Sequence, residues 1–84
     1  MIQIRYFASL RDRLQQSEEQ MELPSDISQI QALMQHLSQR GGVWHQVFSE
    51  DPSILCALNQ EMAKLDTPIG DGDEIGFFPP VTGG

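Results

Sequence analysis

The sequence has 84 residues, enough for one small domain with a single core and too few for a roomy internal active site. A hydrophobic fraction of 39% with 20% charged residues favours folding over disorder. Twelve acidic against five basic side chains give a formal charge of -7 without a basic patch, which argues against nucleic acid as a partner and for solubility or a basic docking surface.

No apolar run approaches the ~20 residues of a membrane span, and no basic segment precedes an apolar stretch as in a leader. Cys56, the single cysteine, lies in the apolar run ILCAL and reads as a small core hydrophobe with no internal disulfide partner. The expected compartment is the cytosol.

In chain order, MIQIRYFA (residues 1–8) alternates Ile2, Ile4 and Tyr6 against Gln3, Arg5 and Phe7, the pattern of a half-buried strand. Phe7 falls on the polar face, either beneath a neighbouring loop or as an exposed contact residue. The polar stretch SLRDRLQQSEE leads to QMELP (20–24), a short strand closed by Pro24 and expected to form a hairpin with the first. SDISQIQALMQHLSQRGG (25–42) places Ile30, Leu33, Met34 and Leu37 on one helical face. Ser28 with Gln31 fits a capping box, Asp26 is an alternative cap, and Gly41 suits a left-handed stop.

VWHQVF (43–48) is expected to be irregular or one turn long. ILCAL (54–58) and EMAKL (61–65) read as strands joined by a tight Asn59-Gln60 turn, and EIGFF (74–78) as a last strand with Ile75 and Phe77 inward and Phe78 outward. The whole is an α+β fold. If its first and last strands lie side by side at the centre of a mixed sheet of four to five strands, one main helix crosses that sheet as in the β-grasp.

Side-chain chemistry is sparse. GDGDE (70–74) lacks the calcium-loop spacing and reads as a turn, His36 and His45 have no ligand-type neighbour at metal spacing, and no serine sits in a nucleophile motif. The tail is the exception. Residues 1–78 are expected to form the domain and residues 79–84 an extended functional tail, with a reach of ~20 Å at ~3.3–3.6 Å per residue. Pro79 and Pro80 stiffen its base, Val81 and Thr82 continue it, and Gly83 and Gly84 offer a tip that fits where any Cβ would clash. A terminal carboxylate needs activation, most economically as an acyl-adenylate, and sulfur attack on that anhydride leaves a nucleophilic thiocarboxylate.

LNQEMAKLDTPIGDGDEIGFFPPVTGG (58–84), with IRYFASLRD (4–12) as a weaker anchor, resembles the family of ubiquitin-like sulfur carriers that form the small subunit of molybdopterin synthase. The resemblance implies a β-grasp whose Gly84 is adenylated by an E1-like adenylyltransferase at the expense of ATP, with no cofactor or metal held permanently. Gly84 then becomes a thiocarboxylate, with sulfur from a donor such as a cysteine desulfurase or a rhodanese-like protein. It implies a heterotetramer in which two small subunits flank a dimer of the large catalytic subunit. There the tail gives sulfur to cyclic pyranopterin monophosphate, building the molybdopterin dithiolene of the molybdenum cofactor.

The carrier would thus be a sulfur donor, with the catalytic side chains in its partner. By position, Phe7, Met62 and Phe78 fall where the family contacts the large subunit, together with tail residues Pro79, Pro80, Val81 and Thr82, and Gly83 and Gly84 form the reactive tip. Core filling is the other reading of Met62. A sulfur carrier for thiamine thiazole or tRNA thiolation, or a ubiquitin-like modifier of target lysines, would share the glycine activation and differ in the acceptor.

Overall fold

The computed structural model describes residues 1–80; the expected tail residues Val81, Thr82, Gly83 and Gly84 lie outside the described residues. Alternation in the first segment produces β1 (Ile2–Tyr6), with Ile2, Ile4 and Tyr6 buried. β5 (Glu74–Phe78) runs parallel to it in the register Gln3 with Glu74 to Tyr6 with Phe77. On the other side of β5, β3 (Leu55–Leu58) pairs antiparallel, and β4 (Glu61–Met62) borders β3. With β2 (Glu18–Met21) antiparallel to β1, the sheet order is β2-β1-β5-β3-β4. The first and last strands are therefore adjacent at the centre, as the β-grasp requires.

Among the described residues, three helical segments accompany the sheet: α1 (Ser9–Leu14), α2 (Ile30–Ser38) and α3 (Val43–His45), the last continuing into a π-helical turn over Gln46–Glu50. α2 buries Ile30, Leu33, Met34 and Leu37, the four residues its periodicity singles out, in one core cluster with Ile2, Ile4, Tyr6, Ile75 and Phe77 of the sheet. Phe77 stacks on Tyr6 at 6.3 Å between ring centroids and meets Phe48 edge-on at 5.0 Å. Cys56 is buried in β3, as its apolar surroundings indicate.

Several local expectations are corrected. SLRDRLQQSEE does not simply connect two hairpin strands, because α1 forms within it and buries Leu10 and Leu14, an i, i+4 pair. β2 lies two residues earlier than QMELP: β1 begins at Ile2, which pairs with Met21, so residues beyond Met21 have no strand to pair with. β4 spans two residues in place of five. After Ala63 donates to the Cys56 carbonyl at 3.0 Å, the chain turns through Lys64 to Thr67, and the Thr67 Oγ1 accepts the Lys64 N–H at 2.9 Å.

That turn also explains the missing helix cap. α2 starts at Ile30, and neither Ser28 nor Asp26 caps it; Gln29 precedes it in extended conformation with no side-chain cap. The first helical N–H groups are satisfied from outside, Ile30 donating to the Thr67 carbonyl at 3.1 Å and Gln31 to that of Leu65 at 2.8 Å. Gly41 takes the left-handed conformation expected of it, with φ of 78°. VWHQVF is more helical than expected, because Val47 and Phe48 enter the core from one side of a continuous turn.

The Asn59-Gln60 turn is as tight as expected, with both residues left-handed at φ of 51° and 70°, the geometry that matches the twist of hairpin strands. GDGDE is a turn secured to it: the Asp73 carboxylate accepts from Gly70 N–H at 2.7 Å and from Asn59 Nδ2 at 3.1 Å.

A polar clasp closes the β2 side. Arg40 donates through both terminal nitrogens to Glu19, at 2.7 and 2.9 Å, and the buried Tyr6 hydroxyl donates to the same carboxylate at 3.0 Å. Arg40 lies 4.4 Å above the Trp44 ring. Hydrogen bonds from Arg40 hold the Glu19 carboxyl below its ordinary value of 4.5, with help from Tyr6 and against the effect of burial. A carboxyl more acidic in the folded state adds stability above its unfolded value and loses it as the pH falls through the folded one. The unfolding free energy of the native protein should therefore decline more steeply below about pH 4.5 than that of Glu19→Gln. Urea titrations at pH 7 and pH 3 measure this, and equal declines would remove Glu19 from the account.

Candidate docking face and tail exit

Because α2 covers one face of the sheet, residues of opposite parity form the other face. β5 contributes Glu74, Gly76 and Phe78 to it, β1 contributes Arg5 followed by Phe7, and β3 contributes Leu55 and Ala57. Register places Arg5, Gly76, Ala57 and Met62 in one row across four strands, with Leu55 opposite Phe78 in the next. Met62 is 65% exposed and Phe7 44%. Phe78 is half-buried, with its ring 6.4 Å from that of Phe7 in an edge-on arrangement.

The structure thus brings together the three hydrophobic residues singled out by sequence and decides two open readings. Phe7 is not tucked under a loop, and Met62 does not fill the core. Phe7 and Met62 thus leave apolar surface exposed on the open face of the sheet.

Gly76 shapes the patch. A Cβ built there would stand 3.0 Å from Cε2 of Phe7, so the bare backbone is what allows the ring to lie over the central strand. Charge borders the patch on the β1 side, where Arg5 Nε sits 3.3 Å from Glu74 and 3.8 Å from Glu18. Sequence reading missed Gly76, Leu55, Ala57 and this charged strip. The signal was present in strand parity, since Gly76 and Phe78 share one face of EIGFF.

Pro79 is half-buried and Pro80 exposed, immediately beyond Phe78. Neither has an N–H to extend the ladder, so the chain leaves the sheet from its central strand at the margin of the apolar patch. The rest of the expected tail, Val81 to Gly84, lies outside the described residues.

Side chains offer little reactivity among the described residues. No three His, Cys, Asp or Glu residues there are grouped to hold a metal, and no helix is long and apolar enough to cross a membrane. Burial pushes the Cys56 thiol up, away from the thiolate that nucleophilic attack requires.

A helix across a mixed sheet, with the outgoing chain on the central strand, defines a ubiquitin-like β-grasp protein. Residues 4–84 match the ThiS family, and the chain belongs to that family. It is 38% identical over 84 residues, 100% of each chain, to the molybdopterin synthase sulfur carrier subunit of Escherichia coli (strain K12). Among solved structures it is similar to a putative molybdopterin converting factor subunit 1 from Pyrococcus furiosus, with a TM-score of 0.73 and 29% identity over 95% of this chain and 97% of that one. It is also similar to a chain in a Helicobacter pylori complex of subunits 1 and 2 of molybdopterin-converting factor, with a TM-score of 0.63 and 25% identity over 99% and 97% of the two chains.

Proposed function

We propose that this chain is the sulfur-carrier small subunit of a molybdopterin synthase, with Gly84 as the reacting residue and the open face of the sheet as its docking surface. The observation that carries the reading is the placement of Phe7, Phe78 and Met62 on one exposed face, at the point where the central strand becomes the tail. The likeness to curated sulfur carriers and to the subunit complex supports the choice of partner.

In this reading the Gly84 carboxylate attacks the α-phosphorus of ATP on an E1-like adenylyltransferase, releasing pyrophosphate and leaving an acyl-adenylate. The terminal sulfur of a donor persulfide then displaces AMP to form an acyl disulfide, a second thiol cleaves its S–S bond by forming a disulfide with the donor cysteine, and the tail is left as a thiocarboxylate. Docked on the large subunit, the tail delivers that sulfur to cyclic pyranopterin monophosphate, and two transfers build the dithiolene. Two carriers on a dimer of the large subunit make the heterotetramer, and the cycle runs in the cytosol. This chain supplies the docking face and the tail; acid-base groups come from the large subunit.

The test is top-down mass spectrometry after incubation with ATP, the adenylyltransferase and a sulfur source. An ATP-dependent exchange of oxygen for sulfur located on Gly84 supports the reading. An ordinary Gly84 carboxylate, under conditions where the enzyme charges another carrier, refutes it.

The docking face carries its own prediction. Phe78→Ala should weaken binding to the large subunit by ~1–3 kcal/mol, the range for a truncated interface aromatic. An unchanged dissociation constant in calorimetric titration would place Phe78 outside the interface.

A further inference from the structure

We infer that Met62 is an oxidation site through which peroxide switches the docking face off, reversibly. This rests on the docking reading above. Among the described residues Met62 is the most exposed of the large hydrophobic side chains, at 65%, and stands in register with Ala57 in the row across the sheet. A carrier that passes between an activating enzyme and a synthase spends part of each cycle free, with this thioether open to solvent.

The other three methionines are placed differently. Met34 is in the core and Met21 is half-buried against it. Met1 is exposed but precedes β1, whereas Phe7 follows it, so the length of the strand separates Met1 from the patch. Of the four, Met62 alone is both accessible and within the docking face.

The chemistry balances with peroxide as the oxidant. A sulfur lone pair of the thioether attacks one peroxide oxygen, an S–O bond forms as the O–O bond breaks, and the other oxygen leaves as water after proton transfer. Sulfur is oxidised by two electrons and peroxide reduced by two. Methionine sulfoxide reductase reverses the step by oxidising a pair of thiols to a disulfide and releasing the oxygen as water. The product replaces a flexible apolar contact with a strong dipole that docking must strip of water without offering a partner.

The experiment titrates the large subunit, by calorimetry, with five samples: untreated protein, peroxide-treated protein, treated protein after methionine sulfoxide reductases A and B with a thiol reductant, untreated Met62→Leu, and peroxide-treated Met62→Leu. Peptide mass spectrometry locates the added oxygen, and circular dichroism checks that the fold is retained. Treated native protein should bind roughly tenfold or more weakly, the loss that burying one unpaired polar group brings. The reductases should restore the affinity, and treated Met62→Leu should bind as its untreated form does. Undiminished binding by protein fully oxidised at Met62 overturns the inference, as does an equal loss in treated Met62→Leu. Failure of the untreated protein to bind overturns the docking reading itself, which separates the two failures.

Discussion

Deletion of Gly84 should abolish sulfur transfer completely while leaving the thermal midpoint of the domain unchanged. The truncated chain still ends in a carboxylate, but on Gly83, one residue short of the position proposed to be adenylated and thiolated. Thr82 and Gly83 cannot substitute for it by shifting forward, since β5 fixes the origin of the tail and each residue adds at most ~3.6 Å of reach. Gly83→Trp tests a different property of the same tip: the carboxylate remains, but an indole must enter a channel suited to bare backbone. Thiocarboxylate formation and dithiolene formation are the two readouts, and circular dichroism melting is the control. Full transfer by either variant would defeat the mechanism.

Phe77→Ala should have the largest effect on folding, a loss of ~3–5 kcal/mol, as for other buried aromatics cut to alanine. Phe77 is fully buried on the central strand, with Tyr6 and Cys56 beside it in register and Phe48 packed edge-on. Strands on both sides prevent β5 from relaxing into the space the ring leaves. In a domain of this size the loss corresponds to a fall of about 15 °C or more in the thermal midpoint. Its neighbour provides the contrast. Phe78→Ala, one residue along and on the opposite face, should weaken docking while changing stability far less. A loss below about 1 kcal/mol for Phe77→Ala in urea unfolding would contradict its place in the core.

The contrast between these neighbours was legible in the sequence, because strand parity needs only alternation. So was the face of α2, where four apolar residues at helical spacing all enter the core. The candidate site was legible in part: Phe7 and Phe78 stood out as rings on the polar side of their strands, yet whether Phe7 was covered depended on a packing neighbour. That neighbour is Gly76, remote in sequence and beside it in space.

What escaped depended on partners that local pattern does not record. Leu10 and Leu14 form one apolar pair in a polar stretch, too little periodicity to separate a short helix from a loop until the core receives them. The start of α2 looked capped by its own side chains, whereas the 65–67 turn supplies the acceptors. β2 took its limits from where β1 begins, although Met21 still faces inward as its parity indicates.

The parallel pairing of β1 with β5 has a mechanical consequence. The chain enters β1 at one end of this strand pair and leaves β5 at the other. Tension applied between those two points runs along the strands and loads their slanted hydrogen bonds together, in shear, where an antiparallel hairpin pulled from its open end would unzip one bond at a time. β3 grips β5 from its other side and shares the load. A pull on the tail against an anchored start of β1 is therefore borne by every bond of this seam at once.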